Sequence, residues 1–266
     1  MGERLGQYFL KNKSAIPKII ASLELAPDDT IIEIGPGEGA LTFELVRECS
    51  ELDVGCEILA IEKDPALANK LKNLKIDKLE IIEGDALKIL PEILTSNTEP
   101  RTSNLKLVGN IPYYITGQLL RILSEAKNPP KLSVLMVQEE VAERICSKPP
   151  KMNLLAAITQ FWAEPELILR LKPKDFDPPP KVNSAAIKLE SRISNDSNIQ
   201  RAAYYRLAKA LFKQPRKTAA NNLSVGLKIS KKEAVDLVKS AGLPENARPQ
   251  NFNLEQLTKL STITNK

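Results

Sequence analysis

The sequence predicts an α/β fold with a mostly parallel sheet covered by helices on both faces, followed by a small all-helical C-terminal domain. From Thr30 to about Leu189, short apolar runs alternate with amphipathic stretches, which is typical of parallel strands joined by helical crossovers. A glycine-rich turn follows the first apolar run, where a strand is expected to pass directly into a helix. After the polar segment Ser191–Asn198, only helical spacing continues.

Five apolar runs are predicted as strands of this sheet, and four amphipathic stretches as its helices. The strands are Thr30–Ile34, Glu57–Ile61, Leu79–Glu83, Leu105–Val108 and Leu132–Val137. The helices are Leu41–Cys49, Pro65–Leu74, Gln118–Ala126 and Glu139–Ser147. Two further runs, Glu166–Leu171 and Ser184–Leu189, flank a cluster of three prolines and are predicted to close one edge of the sheet as a hairpin.

A second domain is predicted beyond the polar linker, so that the first domain covers residues 1–190 and the second covers residues 191–266. Its predicted helices are Arg201–Phe212, Thr218–Leu227, Lys231–Ala241 and Leu254–Leu260. Residues 191–266 contain 14 Lys and Arg against 5 Asp and Glu, whereas residues 1–190 contain 24 against 28. The charges indicate that the second domain contacts a polyanion, and a solvated basic helical surface is the alternative.

The composition excludes several classes of function. The 266-residue chain is 42% hydrophobic and 27% charged, as expected of a folded protein. It contains no histidine, so His-dependent catalytic triads are excluded and no metal site is expected. Cys49, Cys56 and Cys146 form no CxxC pair and are interpreted as buried small hydrophobes. No apolar run is long enough to span a bilayer and no signal-peptide core is present, so a cytoplasmic protein without membrane contacts is expected.

Glycines and acidic residues follow the first three predicted strands. Gly35, Gly37 and Gly39 form a turn that allows a ligand to approach the backbone at a helix N-terminus. Glu62 ends the second strand, at the distance where an acid in this architecture binds ribose hydroxyls, and Asp85 follows the third strand. Each acid alone fits an N-cap, and the glycines alone fit a tight turn. Together, at one edge of a parallel sheet, they indicate a site for a nucleotide-like ligand.

The fourth strand leads into Asn110-Ile111-Pro112-Tyr113, and this segment indicates the chemistry. The exocyclic amine of adenine is a poor nucleophile because its lone pair is delocalised into the ring. An amide oxygen of Asn110 and a backbone carbonyl near Pro112 could accept both amine hydrogens, while Tyr113 stacks on the base. Phe176, before the proline cluster, is interpreted either as a contact on the opposite face of the base or as a core residue of the hairpin.

These elements, taken in order, resemble the KsgA-type ribosomal RNA adenine dimethyltransferases, from about Gly6 to Leu260. Single motifs are generic, whereas the ordered set is specific. The matching elements are Gly6–Leu10, Glu33–Thr42, Glu62, Gly84–Ala86, Asn110–Tyr113, Val137–Arg144 and Phe176–Ser184, and in the C-terminal part Phe212–Thr218 and Ala247–Phe252.

The resemblance implies a Rossmann-like class I methyltransferase domain over residues 1–190 that binds S-adenosyl-L-methionine, and a basic rRNA-binding domain over residues 191–266. It implies transfer of methyl groups to N6 of two adjacent adenosines near the 3′ end of small-subunit ribosomal RNA, within an assembling particle. A monomer is the default oligomeric state.

The resemblance also assigns residues to roles. Tyr8 departs from the family, which usually has Asn or His there, and Tyr114 and Thr116-Gly117 depart as well. The bulk of the Tyr8 side chain therefore puts its own cofactor contact in question. The residues expected at the cofactor are Tyr8, Leu10, Gly35, Gly37, Glu62, Asp85 and Asn110; those expected at the target base are Asn110, Pro112, Tyr113 and Phe176; and those expected on RNA are Arg216 and Lys217.

Other functions are compatible with parts of the pattern. A large-subunit rRNA adenine methylase that confers antibiotic resistance shares the chemistry, but the C-terminal motifs fit it less well. A non-catalytic ribosome-assembly or RNA-binding factor is supported only by Tyr8 and opposed by the intact Asn110–Tyr113 segment. A nicotinamide-dependent dehydrogenase is disfavoured because the glycine spacing is GxGxG rather than GxGxxG.

Overall fold

The computed structural model describes residues 7–51, 56–95, 104–192 and 198–264. They form two compact units. The first unit spans residues 1–142 and 165–191, and the second spans residues 143–164 and 192–266. Gly6, in the first matching motif, and most of the predicted linker Ser191–Asn198 lie outside the described residues.

A sheet of seven strands is found among the described residues of the chain and confirms the predicted α/β class. In spatial order the strands are β4 (Leu79–Glu83), β3 (Glu57–Glu62), β2 (Thr30–Ile34), β5 (Leu105–Asn110), β6 (Leu132–Gln138), β9 (Ser184–Ser191) and β7 (Ala163–Leu171). The first five are parallel to one another, and β9 is antiparallel to β6. The two strands of the predicted hairpin are neighbours at this edge of the sheet, with β9 between β6 and β7. Outside this sheet, β1 (Phe9–Leu10) pairs with β8 (Phe176–Asp177).

The strand order reverses between β2 and β5. From β2 the chain proceeds outward through β3 and β4, then returns to the other side of β2 and continues through β5 and β6. A parallel sheet leaves a crevice at such a switch point, beyond the carboxyl ends of the two strands, because the helices that follow them go to opposite faces. The turn after Ile34 and the segment after Asn110 border this crevice.

The helices cover the sheet with apolar faces. Two of them, α1 and α4, were not predicted, and the others lie within a few residues of the prediction. Asp64 caps α3 by accepting hydrogen bonds from the backbone N–H groups of Ala66 and Leu67, as expected of an Asp-Pro start. The helices are α1 (Ile16–Ala21), α2 (Ala40–Glu51), α3 (Pro65–Lys72), α4 (Ala86–Thr95), α5 (Thr116–Glu125) and α6 (Glu139–Ile145).

The second unit is helical and has a hydrophobic core of its own. Its helices are α7 (Leu154–Trp162), α8 (Asn198–Leu211), α9 (Ala219–Leu227), α10 (Lys231–Ser240) and α11 (Leu254–Ile263). The last four correspond to the four predicted helices, whereas α7 was not predicted. Phe161 of α7 stacks on Tyr204 with 4.0 Å between ring centroids, and the Tyr204 hydroxyl donates a hydrogen bond of 2.9 Å to the Ala157 carbonyl.

Residues 143–164 therefore belong with the C-terminal helices and not with the sheet that surrounds them in sequence. The predicted domains, residues 1–190 and 191–266, differ from the observed units in this segment. The physical reason is that α7 is apolar on most of its surface and contributes Ala156 and Ala157, both fully buried, to the core of the helical unit. The polar composition near residue 191 marks only the last of the points where the chain passes between units.

A buried ion pair lies at the amino ends of the strands, opposite the crevice. The Lys106 ammonium of β5 is 2.7 Å from the Asp29 carboxylate, and their side chains are 7% and 2% exposed. Asp29 also accepts a hydrogen bond of 2.7 Å from the Ala26 backbone N–H, and Lys106 donates to the Glu24 carbonyl. Since both charges have several partners, the pair joins the loop before β2 to the middle of the sheet.

Replacing Asp29 by alanine is expected to lower the free energy of unfolding by about 3 to 5 kcal/mol, because it leaves the Lys106 ammonium buried without its counter-charge. Urea titration of the wild type and of Asp29→Ala measures the loss. The control is Glu125→Ala, which breaks the Arg121–Glu125 pair, whose side chains are 74% and 54% exposed; its loss should stay below about 1 kcal/mol. Equal losses in the two variants would contradict the structural role of the buried pair.

Candidate active site

A cleft opens at the carboxyl ends of β2, β3, β4 and β5, at the predicted edge of the sheet. It contains about 870 Å³ of empty space, its open mouth included. The sequence-predicted site residues that line it are Tyr8, Gly35, Gly37, Glu62, Asp85, Asn110, Pro112 and Tyr113. The structure therefore brings together residues from five separate segments of the chain.

The glycine turn between β2 and α2 has a backbone conformation that side chains rarely adopt. The φ angles of Gly35 and Gly37 are +67° and +57°. A Cβ atom on Gly37 would lie 2.8 Å from the Phe9 ring, so this position has no room for a side chain. The turn thus depends on glycine both for its φ angle and for the close approach of Phe9.

Glu62 fixes this turn to the end of the neighbouring strand. The residue is 2% exposed, and its carboxylate accepts a hydrogen bond of 2.9 Å from the Gly37 N–H and one of 2.8 Å from the Asp64 N–H. Each carboxylate oxygen can accept a second hydrogen bond. Glu62 therefore stabilises the turn and still offers acceptor positions to a hydroxyl group in the cleft.

Asp85 follows β4 and forms an ion pair with Lys63, a residue to which the sequence patterns assign no role. The Lys63 ammonium is 2.9 Å from one carboxylate oxygen of Asp85, and the other oxygen accepts a hydrogen bond of 3.0 Å from the Leu87 N–H. The hydrogen bond from Lys63 is the main cause that lowers the pKa of Asp85. Asp85 is accordingly an ionised acceptor at neutral pH. Only the position of Lys63, directly after Glu62, gave a signal in the sequence.

Asn110 and two tyrosines form the other wall of the cleft. The Asn110 side-chain N–H2 donates a hydrogen bond of 2.6 Å to the Tyr8 carbonyl, which fixes the amide plane at the end of β5. The Tyr113 hydroxyl and the Ser184 hydroxyl are 2.6 Å apart. Burial is the main cause that raises the pKa of Tyr113, so this phenol stays neutral. The Tyr8 and Tyr113 rings stack with 5.6 Å between centroids and 29° between planes.

Four predicted site residues do not line this cleft. Phe176 is 1% exposed and belongs to the core of the sheet, where β8 pairs it with Leu10 of β1. Of the two interpretations of Phe176, the structure therefore favours the core residue. The Leu10 side chain is also buried, and it borders a neighbouring recess next to Gly35. Arg216 and Lys217 are exposed in the turn between α8 and α9 of the second unit.

Glu33, a buried acid beside the site, has no role in the sequence-based predictions. It precedes the glycine turn, is 1% exposed, and accepts a hydrogen bond of 2.7 Å from the Thr42 hydroxyl. Burial raises the pKa of Glu33 to about 7, and the nearby charge of Glu62 acts in the same direction. Its place near the end of β2, two residues before Gly35, was the available signal.

Two negative findings concern the part of the chain that the structure describes. Within those residues, no group of three or more Cys, Asp or Glu side chains is arranged to hold a metal ion. The helices described there are too short or too polar to cross a membrane.

Comparison with known proteins yields one family and close relatives. The family model described as ribosomal RNA adenine dimethylase matches residues 2–266. A protein of Dehalococcoides mccartyi (strain CBDB1), named ribosomal RNA small subunit methyltransferase A, is 37% identical over 96% of this chain and 86% of its own length. A protein of the same name from Koribacter versatilis (strain Ellin345) is 33% identical over 97% of this chain and 92% of its own length.

A similar fold is found in a solved structure whose name gives a different ribosomal RNA from that of the relatives above. The crystal structure of the 23S rRNA methyltransferase ErmE superposes with a TM-score of 0.75, at 25% identity, over 97% of this chain and 100% of that one. This similarity agrees with the predicted sheet and helical C-terminal region. The sequence identity is lower than that of the relatives named for the small subunit.

The raised pKa of Glu33 predicts that stability depends on pH. The folded protein keeps this carboxyl protonated up to about pH 7, whereas the unfolded chain releases the proton near 4.5. Proton binding at Glu33 therefore stabilises the folded state in full below about pH 4.5. This stabilisation is lost as the pH rises through about 7, because the unfolded state binds fewer protons than the folded state in this range. The size of the pKa shift corresponds to about 3 kcal/mol.

Urea titrations between about pH 5 and about pH 8 test this expectation. Glu33→Gln cannot ionise, so its free energy of unfolding should fall less over this range than that of the wild type. Glu38→Gln, which changes an exposed acid in the same turn, should keep the wild-type profile. A Glu33→Gln profile parallel to the wild type would show that Glu33 is ionised in the folded protein.

Proposed function

The chain belongs to the ribosomal RNA adenine dimethylase family, and we propose that it methylates adenosines of small-subunit ribosomal RNA with S-adenosyl-L-methionine as methyl donor. The acceptor is the exocyclic amine, N6, of two adjacent adenosines near the 3′ end of this RNA. The single observation that carries the proposal is the position of Asn110 and Tyr113, which share one cleft with the glycine turn, Glu62 and Asp85.

The cleft residues fit S-adenosylmethionine. This group supplies an electrophilic methyl on a sulfonium sulfur. Gly35 and Gly37 allow its close approach to the backbone, Glu62 accepts hydrogen bonds from ribose hydroxyls, and Asp85 accepts one from the adenine amine. Both acids still have acceptor positions beyond the protein bonds described above. Of the two other residues that the resemblance assigns to the cofactor, Tyr8 lines the cleft, whereas the Leu10 side chain is buried in the core.

The target amine is activated by orientation. Its two hydrogens are accepted by the Asn110 side-chain oxygen and by a backbone carbonyl near Pro112, which favours rehybridisation and directs the nitrogen lone pair at the methyl group. The bond from Asn110 to the Tyr8 carbonyl uses the amide N–H2, so it presents the amide oxygen as the acceptor. No strong base is required, because the methylated amine releases its proton to solvent. Rate acceleration then comes mainly from proximity.

The helical unit supplies the contact with RNA. Arg216 and Lys217 are exposed side chains that would bind phosphate groups without reading sequence. The proposed partner is small-subunit rRNA within an assembling particle in the cytoplasm, and the proposed state is a monomer.

A large-subunit target is the second candidate, and the similarity to ErmE is the observation that favours it. The relatives with 33% to 37% identity carry names for the small subunit. A non-catalytic assembly factor is disfavoured, because Asn110, Tyr113 and the glycine turn are intact and face one cleft.

The deciding experiment is transfer of labelled methyl groups from S-adenosylmethionine to small ribosomal subunits that lack the modification and, in parallel, to unmodified large-subunit RNA, followed by mapping of the label. Dimethyladenine at two adjacent sites near the 3′ end is the expected product. Label found only on large-subunit RNA would move the assignment to the second candidate. Tight binding to subunits without transfer would indicate an assembly factor.

Asn110→Ala is expected to lower the rate constant of methyl transfer by about 100-fold or more, because misplacement of the reacting amine by about 1 Å has an effect of this size. Single-turnover transfer to unmodified subunits measures the change. Asn246→Ala, which removes an exposed amide of the second unit, should keep the wild-type rate. Full activity of Asn110→Ala would remove Asn110 from the mechanism.

Asp85→Ala is expected to weaken binding of S-adenosylhomocysteine by about 10-fold to 100-fold, since hydrogen bonds to charged groups contribute about 1.5 to 3 kcal/mol. Titration calorimetry measures this affinity without turnover. Asp64→Ala is the matched control: it removes the cap of α3, which costs about 1 kcal/mol of stability, but no carboxylate of the cleft. An unchanged affinity for Asp85→Ala would show that this acid does not contact the ligand.

A further inference from the structure

We propose that the Tyr8 ring occupies the stacking face of Tyr113 in the free protein and that the target base must displace it. Tyr8 is then a specificity-determining residue of the target pocket and not a cofactor contact. This inference rests on the proposed function, because it requires a base that enters the cleft to reach Asn110.

The ring stack lies in the cleft itself. Both Tyr8 and Tyr113 line it, and their centroids are 5.6 Å apart with 29° between the ring planes. A base inserted between two rings needs about twice the stacking distance of aromatic rings, which exceeds the observed separation. A base that stacks on this face of Tyr113 can do so only after the Tyr8 ring has left.

The two rings are anchored differently. Tyr113 is held through its hydroxyl by Ser184, which is fully buried in β9, and it begins the 3-10 turn Tyr113–Ile115. Tyr8 is held through its backbone carbonyl, by the Asn110 amide. A change of the Tyr8 rotamer would break the packing of its ring on Tyr113 and on the core, but it would leave the hydrogen bond between its carbonyl and the Asn110 amide in place. The element that yields is Tyr8, and the platform that remains is Tyr113.

Phe176 is not available as a second wall, because it is buried in the core. Tyr8 packs against the same core cluster that contains Phe176, and it contacts Tyr113 as well. Its ring therefore covers the face of Tyr113 on which the proposed base would stack. The Tyr8 ring thus substitutes for the base until the base arrives.

The displacement lowers the affinity for the base by the stability of the tyrosine stack. Aromatic pairs contribute an amount that corresponds to about a twofold to tenfold change in an equilibrium constant. Removing the Tyr8 ring should therefore make the target bind about twofold to tenfold more tightly. Most contact variants in a binding site have the opposite effect, so the sign of the change is diagnostic.

The test measures fluorescence anisotropy of a labelled single-stranded RNA oligonucleotide with two adjacent adenosines, at saturating S-adenosylhomocysteine. The variants are Tyr8→Ala and Tyr8→Leu, so that one remains if the other is unstable, and Tyr8→Phe, which keeps the ring. An oligonucleotide with uridines in place of the two adenosines reports binding outside the base pocket. Titration calorimetry with S-adenosylhomocysteine and a thermal melt are measured for each variant.

Tighter binding of the adenosine oligonucleotide by Tyr8→Ala or Tyr8→Leu, with Tyr8→Phe within about twofold of wild type, would support the proposal. Equal or weaker binding by the ringless variants would overturn it, as would an equal gain for the uridine oligonucleotide. Loss of S-adenosylhomocysteine affinity in these variants would instead make Tyr8 a cofactor contact. Failure of the proposed function has a different signature, since the wild type would then neither prefer adenosine nor methylate subunits.

Discussion

The Glu62 carboxylate is the interaction on which the rest of the cleft depends. It stands at the end of β3 and accepts N–H groups from Gly37 and Asp64, so one buried charge joins the glycine turn, its own strand and the start of the next helix. A carboxylate that is 2% exposed needs such partners, because an unpaired buried charge is very unfavourable. The glycine turn also places Gly35 beside the end of β5. A Cβ atom on Gly35 would lie 3.8 Å from the Asn110 carbonyl oxygen.

The parts of the fold that follow from local patterns were predicted from the sequence. The strands β2 to β6 and the helices α8 to α11 were found at the expected places because short apolar runs and helical spacing are visible within one window. Helix α4 was missed because Pro91 lies inside it, and proline is ordinarily excluded from helix interiors. Helix α7 was missed because its sequence is mostly apolar and none of its residues is exposed, so no polar outer face separates it from a buried strand.

The contacts of the candidate site also fall into those that could be predicted from the sequence and those that could not. Residues at the ends of consecutive parallel strands, such as Glu62, Asp85 and Asn110, could be placed together because the architecture fixes where strand ends meet. Contacts between distant segments could not: Asn110 and Tyr8 are 102 residues apart, and nothing in either segment indicates their hydrogen bond. The same holds for Phe176. Its pattern fits a base contact and a core residue equally, and only the pairing of β8 with β1 distinguishes them.

The chain passes between the two units more than once, and this limits how the helical unit could be exchanged between related proteins. Residues 143–164 leave the first unit in mid-chain, contribute α7 to the helical core and return for β7 and β9. The helical unit is therefore discontinuous in sequence. A fragment cut at residue 191 would lack the surface on which Tyr204 rests and would leave an apolar groove in contact with water. A chimera that joins the helical unit to another protein therefore has to include two pieces of chain, residues 143–164 and residues 192–266.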